Sequence, residues 1–279
     1  MHPLSPKRRI ILHAGFHKTG TTSLQACLRS NSRLLAPLWR VNTRIDNDAL
    51  RCVLDAARDY SASGDDEDLA MVGAQSILWL SSLDMEPGSG LLVSSEDFSG
   101  HMPGRLGVKH YLAAAKILAK IVEMASILFD GHVQFEILFT TRERSPWLRS
   151  LYFQQAKHPD LVLDFDDFCA SIPKAVDHEA AVMKVRRKLG PVPVHLVSLE
   201  DLSSRRLGPA EAMFDIAGLP ESLRSSLVAI TRRNSSPGEG IVLSEQLVAA
   251  NRLGLSQPRL RKMKDDLIAA AVSKAGKLG

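Results

Sequence analysis

Short apolar runs rich in β-branched residues recur at wide intervals along the chain, at Ile10–Leu12, Leu91–Val93, Phe135–Thr141 and Pro193–Leu199. Between them the apolar positions follow a helical period. Leu24 and Leu28 lie one turn apart, 48–60 and 69–80 read as helices, and Leu112, Ala115, Leu118, Ala119, Val122 and Ala125 form a stripe within 109–129. Further helices are expected over 145–157, 178–189, 209–216 and 221–230, and over 256–279, where Leu260, Met263, Leu267 and Ala270/Ala271 should face inward. Strands of this kind, each followed by a helix, pair in parallel and are covered on both faces. The pattern predicts an α/β fold: a three-layer α/β/α domain spanning 1–279 around a mainly parallel sheet, with strands near 9–14, 91–95, 135–141 and 193–199. Residues 31–90 read as a helical insertion and 241–279 as C-terminal helices.

Composition narrows the function classes. A chain of 279 residues that is 45% apolar can bury a large core. Its 35 basic and 31 acidic residues leave a formal charge of only +4, which gives no ground for a nucleic-acid partner. Cys27, Cys52 and Cys169 have no metal-ligand spacing and are odd in number, which points to a reducing compartment. Cys27 falls on the Leu24/Leu28 stripe and reads as core. Residues 1–8 hold charge and proline but no hydrophobic segment, so neither a secretory signal nor membrane insertion is expected, and the expected location is cytoplasmic. The acidic run Asp65-Asp66-Glu67-Asp68 lacks ordered ligand spacing and reads as a solvated turn. There is no internal repeat.

The chemistry concentrates where the first apolar run ends. Gly15–Gly20 is a loop that opens directly into the Leu24/Leu28 helix. The first amides of a helix have no intrahelical partner and sit at the positive end of its dipole, so the backbone around Gly20–Thr22 should hold an oxyanion. Lys18 adds a mobile positive charge, and Thr21, Thr22 and Ser23 add hydroxyl donors. A nucleotide-triphosphatase loop needs Gly-x-x-x-x-Gly-Lys-Ser/Thr, but Thr21 follows Gly20 and the lysine stands two positions before it. Arg142 follows the Phe135–Thr141 run, Ser145-Pro146 offers an N-cap and first-turn proline, and Ser150 lies eight residues after Arg142 with Gln154 beyond. An arginine fork and a serine hydroxyl together suit a second phosphate.

Lys18-Thr19-Gly20-Thr21-Thr22-Ser23 resembles the 5′-phosphosulfate loop of sulfotransferases that use 3′-phosphoadenosine 5′-phosphosulfate (PAPS), and Arg142…Ser150 resembles the pair that holds the 3′-phosphate in that family. The resemblance covers the strand–loop units across 9–201. It implies a soluble P-loop-like sulfotransferase fold, PAPS as cosubstrate with adenosine 3′,5′-bisphosphate as product, and a small-molecule, glycan or lipid acceptor. It also implies a basic late loop, for which Arg232 and Arg233 are candidates although their spacing to glycine departs from the family's. Residues 31–90 would then lie on the acceptor side. Glu96, after the Leu91 strand, is the candidate base for an acceptor hydroxyl or, second to it, an amine. Asp97 reads as a turn cap, His101 as an alternative base, and His17 as a group that orients the leaving phosphate or packs. A transferring sulfuryl group carries less charge than a phosphoryl group, so no metal is expected. Two other classes fit parts of the pattern. One is a kinase using ATP and magnesium, against which the missing lysine counts; the other is a nucleotide-binding module without catalysis.

Overall fold

A computed structural model describes residues 6–230 and 241–275. In chain order the elements run β1 (Arg8–His13), α1 (Thr21–Ser30), α2 (Ser32–Leu35), β2 (Trp39–Thr43), α3 (Asp48–Ser63), α4 (Asp66–Ser82), β3 (Gly90–Ser94), a 3-10 turn at Glu96–Ser99, α5 (Ala114–Leu128) and β4 (Val133–Thr141). They continue with α6 (Arg144–Ala156), α7 (Phe165–Ser171), α8 (His178–Leu189), β5 (Val194–Ser198), α9 (Leu199–Leu202), α10 (Ala210–Ala217), α11 (Glu221–Ser226), α12 (Ile241–Asn251) and α13 (Gln257–Ala275). They fall into two compact units, residues 1–142 with 177–231, and 143–176 with 232–279.

The larger unit is built on a five-stranded sheet in the order β2-β3-β1-β4-β5, and every pairing is parallel. Parallel strands are covered on both faces and so read as continuous apolar runs, which is why β3 is buried at all five positions. Ile11, Leu92 and Leu138 face one way, into a core with Leu24 and Leu28 of α1 and Met213 and Phe214 of α10. Ile10, Leu12, Ile137 and Phe139 are buried on the other pleat, where α5 and α8 pack together and against β4 and β5. The fold is α/β, with helices on both faces of a parallel sheet, as the apolar pattern predicts.

Several elements differ from their sequence patterns. The 31–90 segment carries a sheet strand as well as the helices α2, α3 and α4: β2, with the polar sequence Trp39-Arg40-Val41-Asn42-Thr43, pairs with β3 at the sheet edge. Buried Asn42 is satisfied there by the Trp79 indole N–H at 3.0 Å. Asp65 is the N-cap residue of α4, and Asp66, Glu67 and Asp68 occupy its first turn, where the helix dipole favours negative charge. The long helix expected from Lys109 begins at Ala114, after a loop in which Leu106 and Gly107 are left-handed. Its buried residues are Ala114, Ala115, Ile117, Leu118, Ile121 and Ala125, so Ala115, Leu118 and Ala125 of the expected stripe face inward.

The smaller unit consists of α6, α7, α12 and α13. Helix α6 begins one residue before Ser145, with Glu143 at its N-cap, so Ser145 does not cap it. The inward stripe of α13 is rotated from the expected one: Leu260 and Lys264 are buried, while Met263 and Ala270 are exposed. Lys264 buries its aliphatic stem and donates from Nζ to the carbonyls of Ala156 (3.0 Å) and Lys157 (3.1 Å), which closes the end of α6.

One buried polar chain in the larger unit ties the sheet edge to the loop after β1. Thr19 Oγ1 donates to the Phe16 carbonyl at 2.6 Å. Its only proton is used there, so at 2.9 Å it accepts from Thr140 Oγ1. Thr140 in turn accepts from His13 Nε2 at 3.1 Å, and His13 Nδ1 accepts from Ser94 Oγ at 2.8 Å. The ring is thereby assigned as the neutral Nε2–H tautomer, which agrees with burial pushing its pKa from 6.5 down to about 3. Gly15 must lack a side chain beside this chain, since a Cβ would lie 2.4 Å from His13 Nε2 and 3.1 Å from Thr140 Oγ1.

Two predictions follow from this buried chain. His13 takes up its proton only on unfolding at pH values between about 3 and 6.5, so its share of stability is complete above that window and is lost as pH falls through it. His178, pushed by burial down to about 4, acts with the same sign. Urea titration across this range should show a slope that is shallower in His13→Gln by about 1.4 kcal/mol per pH unit, the value of one proton; an unchanged slope contradicts the buried neutral ring. Gly15→Ala should lower unfolding stability by about 1–3 kcal/mol through overpacking against His13, and a change below about 0.5 kcal/mol, the usual range for surface substitutions, contradicts the contact.

Candidate functional site

All five strands run in parallel, so their carboxyl ends share one edge of the larger unit, the edge at which open α/β sheets take ligands. β1 delivers the Ala14–Gly20 loop there, β3 delivers Ser95, Glu96 and Asp97, β4 delivers Arg142 and β2 delivers Arg44. The candidate groups at Lys18, Glu96 and Arg142 are therefore brought to one side of the sheet. Each stands one or two residues from a member of the buried chain: Lys18 beside Thr19, Glu96 two after Ser94, Arg142 two after Thr140.

The loop enters α1 through two residues with left-handed backbone, Lys18 and Gly20. Lys18 has φ 68°, left-handed for a residue with a side chain. Gly20 sits at the N-cap of α1 with φ 93° and supplies no side-chain cap. A Cβ on Gly20 would come 2.8 Å from Leu199 Cδ1 and 3.0 Å from Pro209 Cγ, so glycine is required for space as well as conformation. The amides of Ser23 and Leu24 bond to the Gly20 carbonyl, whereas those of Thr21 and Thr22 stand at the helix end with no carbonyl behind them. Thr21 is 3% exposed, and its buried hydroxyl oxygen has no hydrogen-bond partner. A buried unsatisfied hydroxyl costs about 1–3 kcal/mol, and this one lies beside the uncapped amides. Thr22 is exposed and Ser23 half-buried. Thr19 is fully buried and anchors the loop through its hydroxyl.

His17 is also buried. Its backbone N–H donates to the Tyr111 hydroxyl, which lies 3.3 Å from His17 Nδ1 as well. Its Nε2 is 3.6 Å from Asp97 Oδ1. Asp97 does not cap the turn after β3; the Ser95 hydroxyl does, accepting from the Asp97 amide at 3.2 Å. The Asp97 carboxylate instead binds Arg44 and, at 3.2 Å, Arg58. Burial raises its pKa, but the contact with His17 and the charges of His17, Arg58 and Arg44 outweigh it, and the net shift is downward.

Glu96 is half-buried at the start of the 3-10 turn. Gln25 of α1 donates from Nε2 to Glu96 Oε2 and to the Ser94 carbonyl, both at 3.2 Å, which fixes the carboxylate relative to α1. His101 is half-buried, and its backbone N–H donates to Ser61 Oγ at 2.7 Å. Burial lowers its imidazole pKa, and the Arg58 and Arg105 charges lower it further, so the ring is neutral near pH 7. Ser150 is buried on α6 in the smaller unit. Arg232 and Arg233 lie outside the described residues. Cys27 is buried in the core, and burial pushes its thiol up to about 11, which leaves it unreactive.

Sequence reasoning missed His13, Gln25, Arg44, Arg58, Tyr111 and Thr140. His13 left one signal, a titratable residue ending an apolar strand run. The others look like ordinary surface or helix residues until the fold brings them together. Among the described residues no group of three His, Cys, Asp or Glu side chains could hold a metal ion, and no helix is long and apolar enough to cross a membrane.

No family model matches the chain, and no curated protein matches it. Among solved structures, a sulfotransferase from Alicyclobacillus acidocaldarius is similar over 99% of this chain and 96% of its own, at 13% identity and a TM-score of 0.44. A structure from the PezAT chromosomal toxin–antitoxin system of Streptococcus pneumoniae is similar over 94% of this chain and 87% of its own, at 9% identity and a TM-score of 0.33. At these scores and identities the function has to be argued from the site itself.

Proposed function

We propose that this chain is a sulfotransferase that moves a sulfuryl group from PAPS to a hydroxyl, or second to it an amine, of a carbohydrate, lipid or small-molecule acceptor. The observation that carries the proposal is the uncapped amino terminus of α1, with left-handed Gly20 and the unsatisfied Thr21 hydroxyl, on the same sheet edge as Glu96 and Arg142. These residues fit a phosphosulfate: the cradle offers donors only, from the Thr21 and Thr22 amides and the Thr21 hydroxyl, with Lys18 alongside. PAPS supplies an activated sulfuryl group on a phosphate leaving group. Lys18 and the α1 amides hold the 5′ end and stabilise the charge that builds there during transfer. Arg142 offers a planar fork to the 3′-phosphate, with Ser150, Arg232 and Arg233 as its candidate partners. Glu96, held by Gln25, takes the acceptor proton, and His101, kept neutral, is the second candidate for that step. The sulfuryl group carries less negative charge than a phosphoryl group, so the reaction proceeds without a metal. Three free cysteines fit a cytoplasmic enzyme.

Adenosine 3′,5′-bisphosphate should stabilise the protein by about 2.7 kcal/mol at a hundred times its Kd, visible as a rise in melting temperature. Stabilisation by ATP with magnesium and not by the bisphosphate contradicts the proposal. Glu96→Gln should bind the bisphosphate as the wild type does and lose about 10²–10⁴-fold in kcat for PAPS-dependent transfer; undiminished turnover removes Glu96 from the role of base.

A further inference from the structure

Lys18 holds a left-handed backbone conformation that a side-chain-bearing residue adopts at a cost, and such a conformation persists only where its surroundings over-determine it. Its two neighbours are both buried anchors. On one flank Thr19 is tied to Phe16 and Thr140. On the other His17 is held through its backbone N–H and its ring by Tyr111, and its Nε2 faces Asp97 at 3.6 Å, with both side chains only 9% exposed. A polar contact at that depth is screened far less than one at the surface. Asp97 is itself immobilised from two elements outside the loop, Arg44 after β2 and Arg58 of α3. Both guanidiniums also meet Asp55, at 3.2 Å and 2.6 Å.

We propose that Asp97 is a positioning residue for the anion loop: fixed by Arg44 and Arg58, it holds His17 and, through His17, keeps Lys18 in its left-handed conformation. Asp97 takes no proton and touches no substrate in this role. The 31–90 segment thereby reaches the loop through two arginines and one carboxylate. The proposal deepens the sulfotransferase reading and rests on it for the meaning of the loop, but its test can be read on the protein without any ligand.

Hydrogen exchange of the 14–24 backbone is compared in the wild type, Asp97→Asn, His17→Asn and the double variant. Asp97→Asn should speed exchange of the His17 and Lys18 amides about tenfold, with β4 amides unchanged. Because Asp97 acts through His17, the double variant should exchange no faster than His17→Asn alone. Tyr111→Phe, which removes the acceptor of the His17 N–H, should loosen the same amides and calibrates the readout; Arg58→Gln, which frees the Asp97 carboxylate from one arginine, should loosen them too and serves in place of Tyr111→Phe where Asp97→Asn does not fold. Asp55→Asn, which disturbs the same arginines, should leave them protected. Wild-type exchange in Asp97→Asn, or in Arg58→Gln where that variant stands in, overturns the proposal; so does additive loosening in the double variant. In the same variants the Kd for adenosine 3′,5′-bisphosphate should rise about tenfold in Asp97→Asn and not in Asp55→Asn. A wild type that does not bind the bisphosphate overturns the sulfotransferase reading, and the exchange result then decides the positioning role alone.

Discussion

The arrangement at the sheet edge depends on one run of hydrogen bonds that can point only one way. The Phe16 carbonyl can only accept, and that settles the proton of Thr19, then of Thr140, then the tautomer of His13, and last the proton of Ser94. Thr19, Thr140 and His13 each give one proton and receive one within the run, so none of the three is left unsatisfied. Such a network specifies a unique arrangement, because a break anywhere strands a polar group in a medium where that is expensive. It joins the ends of β3, β1 and β4 to the loop after β1. Glu96, Lys18 and Arg142, the three groups with chemistry to offer, are thus set relative to one another by residues that never reach solvent.

Around that run the loop presents a helix end with no side-chain cap. The helix dipole, the uncapped amides and the lone Thr21 hydroxyl all favour an anion at one point. Gly20 is forced on the chain by conformation and by the closeness of Leu199 and Pro209. The surrounding charges are paired so that they hold positions: Asp97 sits between two arginines, and Gln25 of α1 grips Glu96. Electrostatic preorganisation of this sort costs little during a reaction, because the groups are already oriented when charge develops.

The legible parts of the molecule were those whose causes are local. The four apolar runs became strands of the sheet, and Lys18–Ser23 betrayed a helix end because glycine, lysine and hydroxyl residues stand next to one another in the chain. The His13 network was illegible because its partners lie 81 and 127 residues away. β2 was missed because an edge strand needs apolar residues on fewer positions, and Asn42 is polar until Trp79 satisfies it. In α13 periodicity picked Met263, whereas the buried position belongs to Lys264, whose long stem reaches two carbonyls at the end of α6. Asp97 looked like a turn cap from its neighbours alone, and the two arginines that redefine it come from the segment whose sequence was least informative.

The central claim is that the α1 end and Arg142, at the tips of adjacent strands, grip opposite ends of a single nucleotide. A crystal structure with adenosine 3′,5′-bisphosphate tests it directly. The account predicts the 5′-phosphate within about 3 Å of the Thr21 and Thr22 amides and the 3′-phosphate against the Arg142 guanidinium. A nucleotide seated away from the α1 end, or with Arg142 turned from both phosphates, contradicts it.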